Sequence, residues 1–148
     1  MYLDKRTYVK NWNHTKEEKH FDVSVKRGGE PYAPIKRDRI KQVVEEVCYW
    51  RKANQIHAWF VQNVQDGEDD CRDYWVSVEQ LEKLLEDCKA ALAAPDPSKI
   101  MPTCPGFFFG SVEYDDFYRQ DLEETVEMLE ALLEEDNSDA DFYYRASW

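Results

Sequence analysis

The sequence predicts an α+β fold, in which three main helices, one of them long and central, accompany a small and mostly antiparallel sheet. Residues 21–25 alternate apolar and polar side chains, which is the two-residue period of a half-buried strand. Apolar residues then recur every three or four positions between residues 40 and 64, and two further segments with this period follow. A chain of 148 residues with 43% hydrophobic content has the size and composition of one globular domain, residues 1–148.

Residues 1–36 are predicted to form strands and a hairpin. The two glycines at residues 28–29 follow the alternating segment and supply the residue type that tight turns prefer. Residues 32–35 are predicted to return as a second strand. Pro31 and Pro34 confine that strand to a sheet edge, because proline has no N–H to donate to a neighbouring strand.

Residues 37–65 are predicted to form the central helix. Apolar side chains lie around much of its circumference, so the helix is expected to be largely buried. Neither Gly nor Pro interrupts it before Gly67, and glycine is the usual residue just past a helix end. Its apolar positions are Ile40, Val43, Val44, Val47, Cys48, Ala53, Ile56, Phe60, Val61 and Val64.

Two later helices are predicted over residues 77–93 and 114–135. Ser77 and Gln80 have the spacing of a capping box, in which each side chain accepts from the other residue's backbone N–H. The second of these segments carries apolar residues at three- and four-residue steps.

Two aromatic segments are predicted to be ordered. The three phenylalanines at residues 107–109, between two glycines, are expected to form a short buried strand or an ordered loop on the core. The aromatic tail, residues 141–148, is expected to form a final strand or a strap, because a free terminus rarely carries so many rings. Sealing the core is its favoured role, and contributing to a site is the alternative.

The net charge of −12 divides unevenly along the chain. Residues 1–52 carry 13 Lys and Arg against 8 Asp and Glu, whereas residues 53–148 carry 6 against 23. Because phosphate contacts need clustered cations, no direct nucleic-acid partner is expected. No apolar run reaches membrane-spanning length, and the first ten residues lack the apolar centre of a signal peptide. We therefore expect no membrane partner and a cytoplasmic location.

No catalytic residue, cofactor or metal site is predicted. The four cysteines show no Cys-x2-Cys spacing and are expected to be reduced. The acidic residues 66–70 do not follow the calcium-loop pattern and are expected to form a solvated turn that supplies partners for Arg51 or Arg72. The chain also lacks a glycine-rich phosphate loop, a paired-histidine motif and a nucleophile elbow.

The central helix carries the strongest candidate for a ligand site. Arg51, Asn54 and His57 lie three residues apart, so they fall on neighbouring parts of one helical face. A guanidinium, an amide and an imidazole beside aromatic rings suit a planar anionic or nucleotide-like ligand. The alternative is a buried polar network satisfied by loop backbone or by an acid from residues 66–73. The predicted ligand-binding residues are Trp50, Arg51, Asn54, His57, Phe108, Ser111, Tyr144 and Arg145.

The last predicted helix carries a row of carboxylates that offers a second candidate surface. Members of this row are three, four or seven residues apart on one face, and those three or four residues apart lie roughly 5–6 Å from each other. Such a row imitates a nucleic-acid backbone and would fit a basic groove of a partner protein, but a solvated helix face is the more common explanation. Its members are Asp116, Glu123, Glu127, Glu130 and Glu134.

Four segments of the chain, residues 49–61, 63–67, 102–111 and 142–145, resemble small acidic proteins encoded by bacteriophages and prophages. The resemblance assigns no activity and no catalytic residue. It implies a phage product in a bacterial host cytoplasm, where small accessory proteins sequester nucleotide immune signals or block a host defence protein. We expect a non-enzymatic binding protein of the first kind, and the assembly of a homo-oligomer is left open.

Overall fold

The computed structural model describes residues 1–106 and 111–147, and this part of the chain is α+β. Its strands are β1 (Tyr2–Tyr8), β2 (Lys26–Arg27), β3 (Glu30–Pro31), β4 (Gln42–Tyr49), β5 (Tyr74–Val76) and β6 (Ala140–Arg145). Its helices are α1 (Asn54–Asn63), α2 (Val78–Ala93) and α3 (Asp116–Glu134). The predicted segment at residues 107–109 and the last residue of the predicted tail, Trp148, lie outside the described residues. Within the described ranges, no helix combines the length and the apolar character needed to span a membrane.

The main sheet has four antiparallel strands in the order β4-β1-β6-β5. Leu3 of β1 lies opposite Cys48 on one side and Tyr144 on the other, and all three side chains are buried. The Tyr144 ring stacks on Phe60 of α1, with the ring centroids 3.8 Å apart. The inner face of the sheet therefore forms one core with the helices.

The predicted central helix over residues 37–65 is wrong for most of its length. Its first part is a 3₁₀ turn followed by strand β4, and only Asn54–Asn63 is α-helical. The three- and four-residue spacing of the valines in β4 imitated a helical period. β-branched residues also favour strands, and pairing along β1 decides in favour of the strand.

Residues 1–36 were predicted to form strands and a hairpin, but no strand was located at β1, which lies between two neighbours in the sheet. Its inner-face residue Lys5 is largely buried and bonds to Glu135, with Nζ 2.7 Å from the carboxylate. On the opposite face, Arg6 bonds to the Asp73 carboxylate. Ionic partners from distant segments thus replace the apolar alternation that would identify a half-buried strand.

The later elements match their sequence patterns closely. Ser77 is the N-cap of α2, and both hydrogen bonds of its capping box with Gln80 are present. α3 begins behind Asp115, whose carboxylate accepts from two first-turn N–H groups. The aromatic tail contributes strand β6, in which Phe142 and Tyr144 are buried, so these residues seal the core.

Residues 10–41, called the arm below, connect β1 to β4 and lack any buried residue. The predicted glycine turn at residues 28–29 is present between β2 and β3. The strands predicted at residues 21–25 and 32–35 are wrong, because each of β2 and β3 has only two residues and lies outside those ranges. Alternation alone did not produce longer strands here, since the arm packs no inner face against the core.

Candidate functional site

The turn that leads from β4 into α1 brings two cationic residues to the start of the helix. Trp50 and Met1 exchange two backbone hydrogen bonds of 2.9 Å, which hold the start of this turn. Lys52 has φ = 65°, a left-handed conformation that costs a side-chain-bearing residue roughly 1–2 kcal/mol. Ala53 occupies the N-cap position and supplies no side-chain acceptor, so the first turn of α1 has no side-chain cap.

A cavity of about 400 Å³ opens beside this turn, between the first turns of α1 and α3. Arg51 and Lys52 contribute its positive charge, and within the described residues neither forms an ion pair. Phe117 lies at the same cavity with 74% of its surface exposed. The other lining residues are Asn54, Gln55, Ser111, Asp115, Tyr118 and Asp121.

The two carboxylates of the cavity are already engaged by the protein. Asp115 accepts from the backbone N–H groups of Phe117 and Tyr118, so it acts as the N-cap of α3. Asp121 accepts from Gln55 Nε2 at 3.1 Å, and burial raises the pKa of its carboxyl despite this hydrogen bond. These neutral donors occupy carboxylate oxygens without removing their charge, and Arg51 and Lys52 supply the cationic donors of the cavity.

Asn54 lines the cavity but uses both ends of its amide to hold a loop. Its Nδ2 donates to the Ser111 carbonyl at 2.9 Å, and its Oδ1 accepts from the Cys104 N–H at 3.1 Å. The side chain is buried. Asn54 therefore matches the alternative of a polar network satisfied by loop backbone.

His57 lies in the core between a tyrosine and an acid. Its Nδ1 is 2.7 Å from the Tyr144 hydroxyl, and its Nε2 is 2.9 Å from Asp69 Oδ1. Burial lowers the pKa of His57 and outweighs the opposing effect of Asp69. In the neutral imidazole, Nε2–H donates to the carboxylate and Nδ1 accepts from the Tyr144 O–H, whose pKa burial raises.

The structure thus separates the eight predicted ligand residues. Arg51, Asn54 and Ser111 line one cavity. Trp50, His57 and Tyr144 belong to the buried core, where the Trp50 indole donates to Thr125 Oγ1 at 2.8 Å. Arg145 lies over the Tyr2 ring, 5.1 Å from its centroid, and not at the cavity. Phe108 falls outside the described residues.

Four residues that line the cavity were not predicted from the sequence: Lys52, Gln55, Phe117 and Asp121. Phe117 carried a usable signal, because an aromatic residue adjacent to the apolar stripe of α3, and not on it, needs another explanation. The positive φ of Lys52 carried none, since lysine has no preference for that conformation.

The predicted carboxylate row is exposed along α3. Two of its members are paired with cations: Glu123 with Arg119 at 3.2 Å and Glu130 with Lys89 at 2.6 Å. Asp116, Glu127 and Glu134 keep their negative charge without an ion pair in the described part of the chain.

The acidic loop after α1 bonds to the protein's own side chains. Asp70 and Glu68 both bond to Arg72, and Asp69 bonds to His57. Over residues 1–106 and 111–147, no group of three or more metal-ligating side chains is close enough to hold an ion. The four cysteines are free, and burial raises the pKa of Cys48 and Cys88 to about 12, which disfavours a reactive thiolate at either residue.

Comparison with models of known protein families, with curated proteins and with solved structures found no match.

Proposed function

We propose that this protein is a non-enzymatic binding protein that takes a small anionic, nucleotide-like ligand in the cavity beside Arg51 and Lys52. The observation that carries the proposal is the pair of cations without carboxylate partners at the rim of a 400 Å³ cavity. An arginine forks onto phosphate or carboxylate oxygens, and a lysine adds a point charge.

Two further features support an anion with a planar ring. The first turn of α1, which has no side-chain cap, borders the cavity through Asn54 and Gln55, and its backbone dipoles favour negative charge. Phe117 exposes its ring at the same place, where a base can stack. The left-handed Lys52 is consistent with this role, since strained residues concentrate at ligand sites.

The resemblance to small phage proteins supplies a biological setting for the proposal. In that setting the protein acts in a bacterial host cytoplasm and sequesters a nucleotide-derived immune signal, which requires tight binding and no turnover. The mechanism is then occupancy: the phosphates are held by Arg51 and Lys52, and the base lies against Phe117.

Isothermal titration against cyclic nucleotides, ADP-ribose-type nucleotides and inorganic pyrophosphate tests the proposal. Arg51→Gln should weaken nucleotide binding by about tenfold or more, which corresponds to about 1.4 kcal/mol. Lys99→Gln is the matched control, because Lys99 is an exposed lysine paired with Asp96 away from the cavity. Binding to none of the nucleotides, with an unchanged melting temperature, would contradict the proposal.

Two further variants separate charge, stacking and fold. Lys52→Gly removes the charge and also relieves the left-handed strain, so it should weaken binding while the melting temperature stays equal or rises. Phe117→Ala should weaken the binding of nucleotides and leave the binding of pyrophosphate unchanged, because only nucleotides carry a ring that can stack on Phe117.

A second candidate function, an acidic inhibitor that occupies a basic groove of a host defence protein, rests on the exposed row of α3. Asp116, Glu127 and Glu134 are the charges available to a partner, because Glu123 and Glu130 are paired within the chain. Electrostatic steering by such a row raises the rate of association with a basic partner more than it raises the affinity.

Pull-down from host lysate tests this second function. A stoichiometric partner should be lost when Asp116, Glu127 and Glu134 are all reversed to lysine, and reversal of Glu79, Glu82 and Glu86 on α2 is the matched control. If the triple reversal on α3 leaves the biological effect intact, this function is excluded and the cavity proposal is unaffected.

A further inference from the structure

The outer face of the sheet, which is the face turned away from the helices, carries exposed aromatic rings. Tyr2 lies opposite Tyr49, and Tyr143 lies opposite Trp75, so these four rings share one face. Trp75 is 55% exposed and Tyr49 is 49% exposed. Val44 adds an exposed apolar side chain on the same face, since it pairs with Arg6. The two exposed rings lie on the edge strands β4 and β5, and the half-buried rings of Tyr2 and Tyr143 lie between them. A face that carries exposed aromatic and apolar side chains is a candidate interaction surface.

The cations of the outer face are occupied by the protein itself. Arg6 bonds to Asp73 and lies over the Tyr143 ring, 4.1 Å from its centroid. Arg145 Nε lies 4.0 Å from Asp73 Oδ1, and the Arg145 guanidinium lies over the Tyr2 ring. Both guanidinium groups are therefore already engaged on this face.

The carboxylates of this face outnumber those two cations. By register, Asp4, Glu46 and Asp141 share the face, and Asp73 lies beside it. Four acids against two guanidinium groups leave the outer face negative between its rings. Its complement is a segment that carries both cations and apolar side chains.

The arm, residues 10–41, has these two properties. It carries nine Lys and Arg against five Asp and Glu, a balance of +4, whereas the rest of the chain carries ten against 26, a balance of −16. Trp12, Phe21 and Ile35 are exposed in it. Fixing the backbone costs about 1–2 kcal/mol of entropy per residue, and the arm buries no residue to offset this cost, so a partner that covers the arm would stabilise it.

In the described residues, the charged side chains of the arm make their contacts within the arm itself: Lys10 lies over the Trp12 ring and Arg27 over the Tyr32 ring. Over residues 1–106 and 111–147 the arm's ion pairs are internal, Lys16 with Glu18 and Arg37 with Asp22, and none reaches the sheet or the helices. It also begins at the edge of the outer face, where Trp12 stacks on Tyr8 with the ring centroids 6.4 Å apart. The basic arm and the acidic, aromatic outer face of the same chain are therefore adjacent, but no salt bridge joins them in the described residues.

We propose that the protein forms a closed dimer in which the arm of each copy lies across the outer face of the other. Lysines and arginines of one arm then meet exposed rings and carboxylates of the partner copy, which combines cation–π and ionic contacts. Reciprocal exchange by a two-fold axis uses the same surface on both copies and closes the assembly at two. The proposal is independent of the cavity beside Arg51.

Light scattering after size-exclusion chromatography, over a range of protein concentrations, measures the assembly. The wild-type chain should be a dimer that weakens when NaCl rises from about 0.1 M to about 1 M, since the Debye length falls from about 10 Å to about 3 Å. The arm variant Lys26→Glu/Arg27→Glu/Lys36→Glu should weaken the dimer by about tenfold or more. Lys83→Glu/Lys89→Glu/Lys99→Glu makes the same change in net charge outside the arm and should leave the dimer intact.

A charge exchange then identifies the contacting surfaces. The face variant Glu46→Lys/Asp141→Lys should also be monomeric, and mixing it with the arm variant should restore a dimer that contains one copy of each, seen by native mass spectrometry. Both variants must keep the wild-type circular dichroism spectrum, so that loss of fold is not mistaken for loss of contact.

Three outcomes would overturn the proposal. The first is a wild-type chain that is monomeric at every concentration. The second is a dimer that survives both reversals. The third is tight binding of single-stranded oligonucleotides that is lost in the arm variant without any dimer in the wild type, which would assign the arm and the rings to nucleic acid.

Discussion

His57 joins three segments of the chain: α1, on which it lies, the loop at Asp69, and strand β6 through Tyr144. The imidazole is buried, so its charged form is disfavoured, and the pKa of His57 lies below the usual value of 6.5. In the neutral ring, Nδ1 accepts from the Tyr144 hydroxyl; protonation would make Nδ1 a donor and require that hydroxyl to accept instead. The residue is therefore a structural connection that depends on its protonation state.

Acid should destabilise the fold through this residue. Because the folded pKa of His57 is lowered, the unfolded chain binds more protons in the window between about 6.5 and the folded value, and the free energy of unfolding falls as pH falls through that window. One such group contributes at most about 1.4 kcal/mol per pH unit. Urea unfolding at several pH values should show a smaller slope for His57→Gln than for the wild type, with His20→Gln, an exposed histidine, as the control. A slope of the opposite sign would contradict this assignment.

The polar residues of α1 show how far a sequence can define a site. The spacing of Arg51, Asn54 and His57 identified chemically unusual positions. Asn54 and His57 bond to loops, as the polar-network alternative requires, whereas Arg51 lines a cavity, where ligand binding stays a prediction. Which alternative applies depends on loop backbone at Ser111 and on the Asp69 carboxylate. Ser111 is distant from α1 in the chain, and Asp69 lies in a turn that has no periodic pattern. No local pattern in the sequence could therefore decide between the two alternatives.

Among the elements, α2 begins at a capping box formed by Ser77 and Gln80. Ser77 accepts from the Gln80 N–H, and the Gln80 side chain accepts from the Ser77 N–H in return. The helix packs against α3 and buries Leu81 and Leu84, so fraying at its start would disturb the core.

Ser77→Ala should lower the free energy of unfolding by about 1 kcal/mol, because the first turn of α2 loses its cap. Chemical denaturation measures this change. Ser24→Ala in the arm is the matched control and should change stability by less than about 0.5 kcal/mol, since Ser24 is exposed. Equal losses in the two variants would show that the cap contributes nothing.

Local sequence patterns identified α2 and α3 but not β1 or β4, for physical reasons. α2 and α3 combine a cap with a regular apolar period, so local signals agree with their tertiary packing. β4 carries valines whose spacing fits a helix, and only its partner β1 selects the strand. β1 itself is stabilised by Lys5–Glu135 and Arg6–Asp73 contacts over more than 60 residues of chain, and contacts of this kind leave no local pattern.

The whole molecule divides into an acidic body with a shared core and a basic arm without buried residues. Local stability follows buried contacts, so the two parts should open at very different free energies. Trypsin should therefore cleave within the arm, for example after Lys19 or Arg27, before it cleaves after Lys83 or Lys89 in α2.

Mass spectrometry of the fragments over time checks this order. The body should remain folded by circular dichroism after the first cut, because β1 and β4 still pair outside the arm. First cleavage in α2 would contradict the division. Protection of the arm that increases with protein concentration would agree with the proposed dimer.

Strand β6 has a consequence for the order in which the chain is made. It lies between β1 and β5, and β5 pairs with no other strand in the described residues. During translation, β1 leaves the ribosome more than 130 residues before its partner strand at residues 140–145. The pairing of β1 and β5 with β6 therefore waits until residues 140–145 have been made. In that interval Phe60 and the edge of β1 that pairs with β6 are open to chaperones or to another nascent chain.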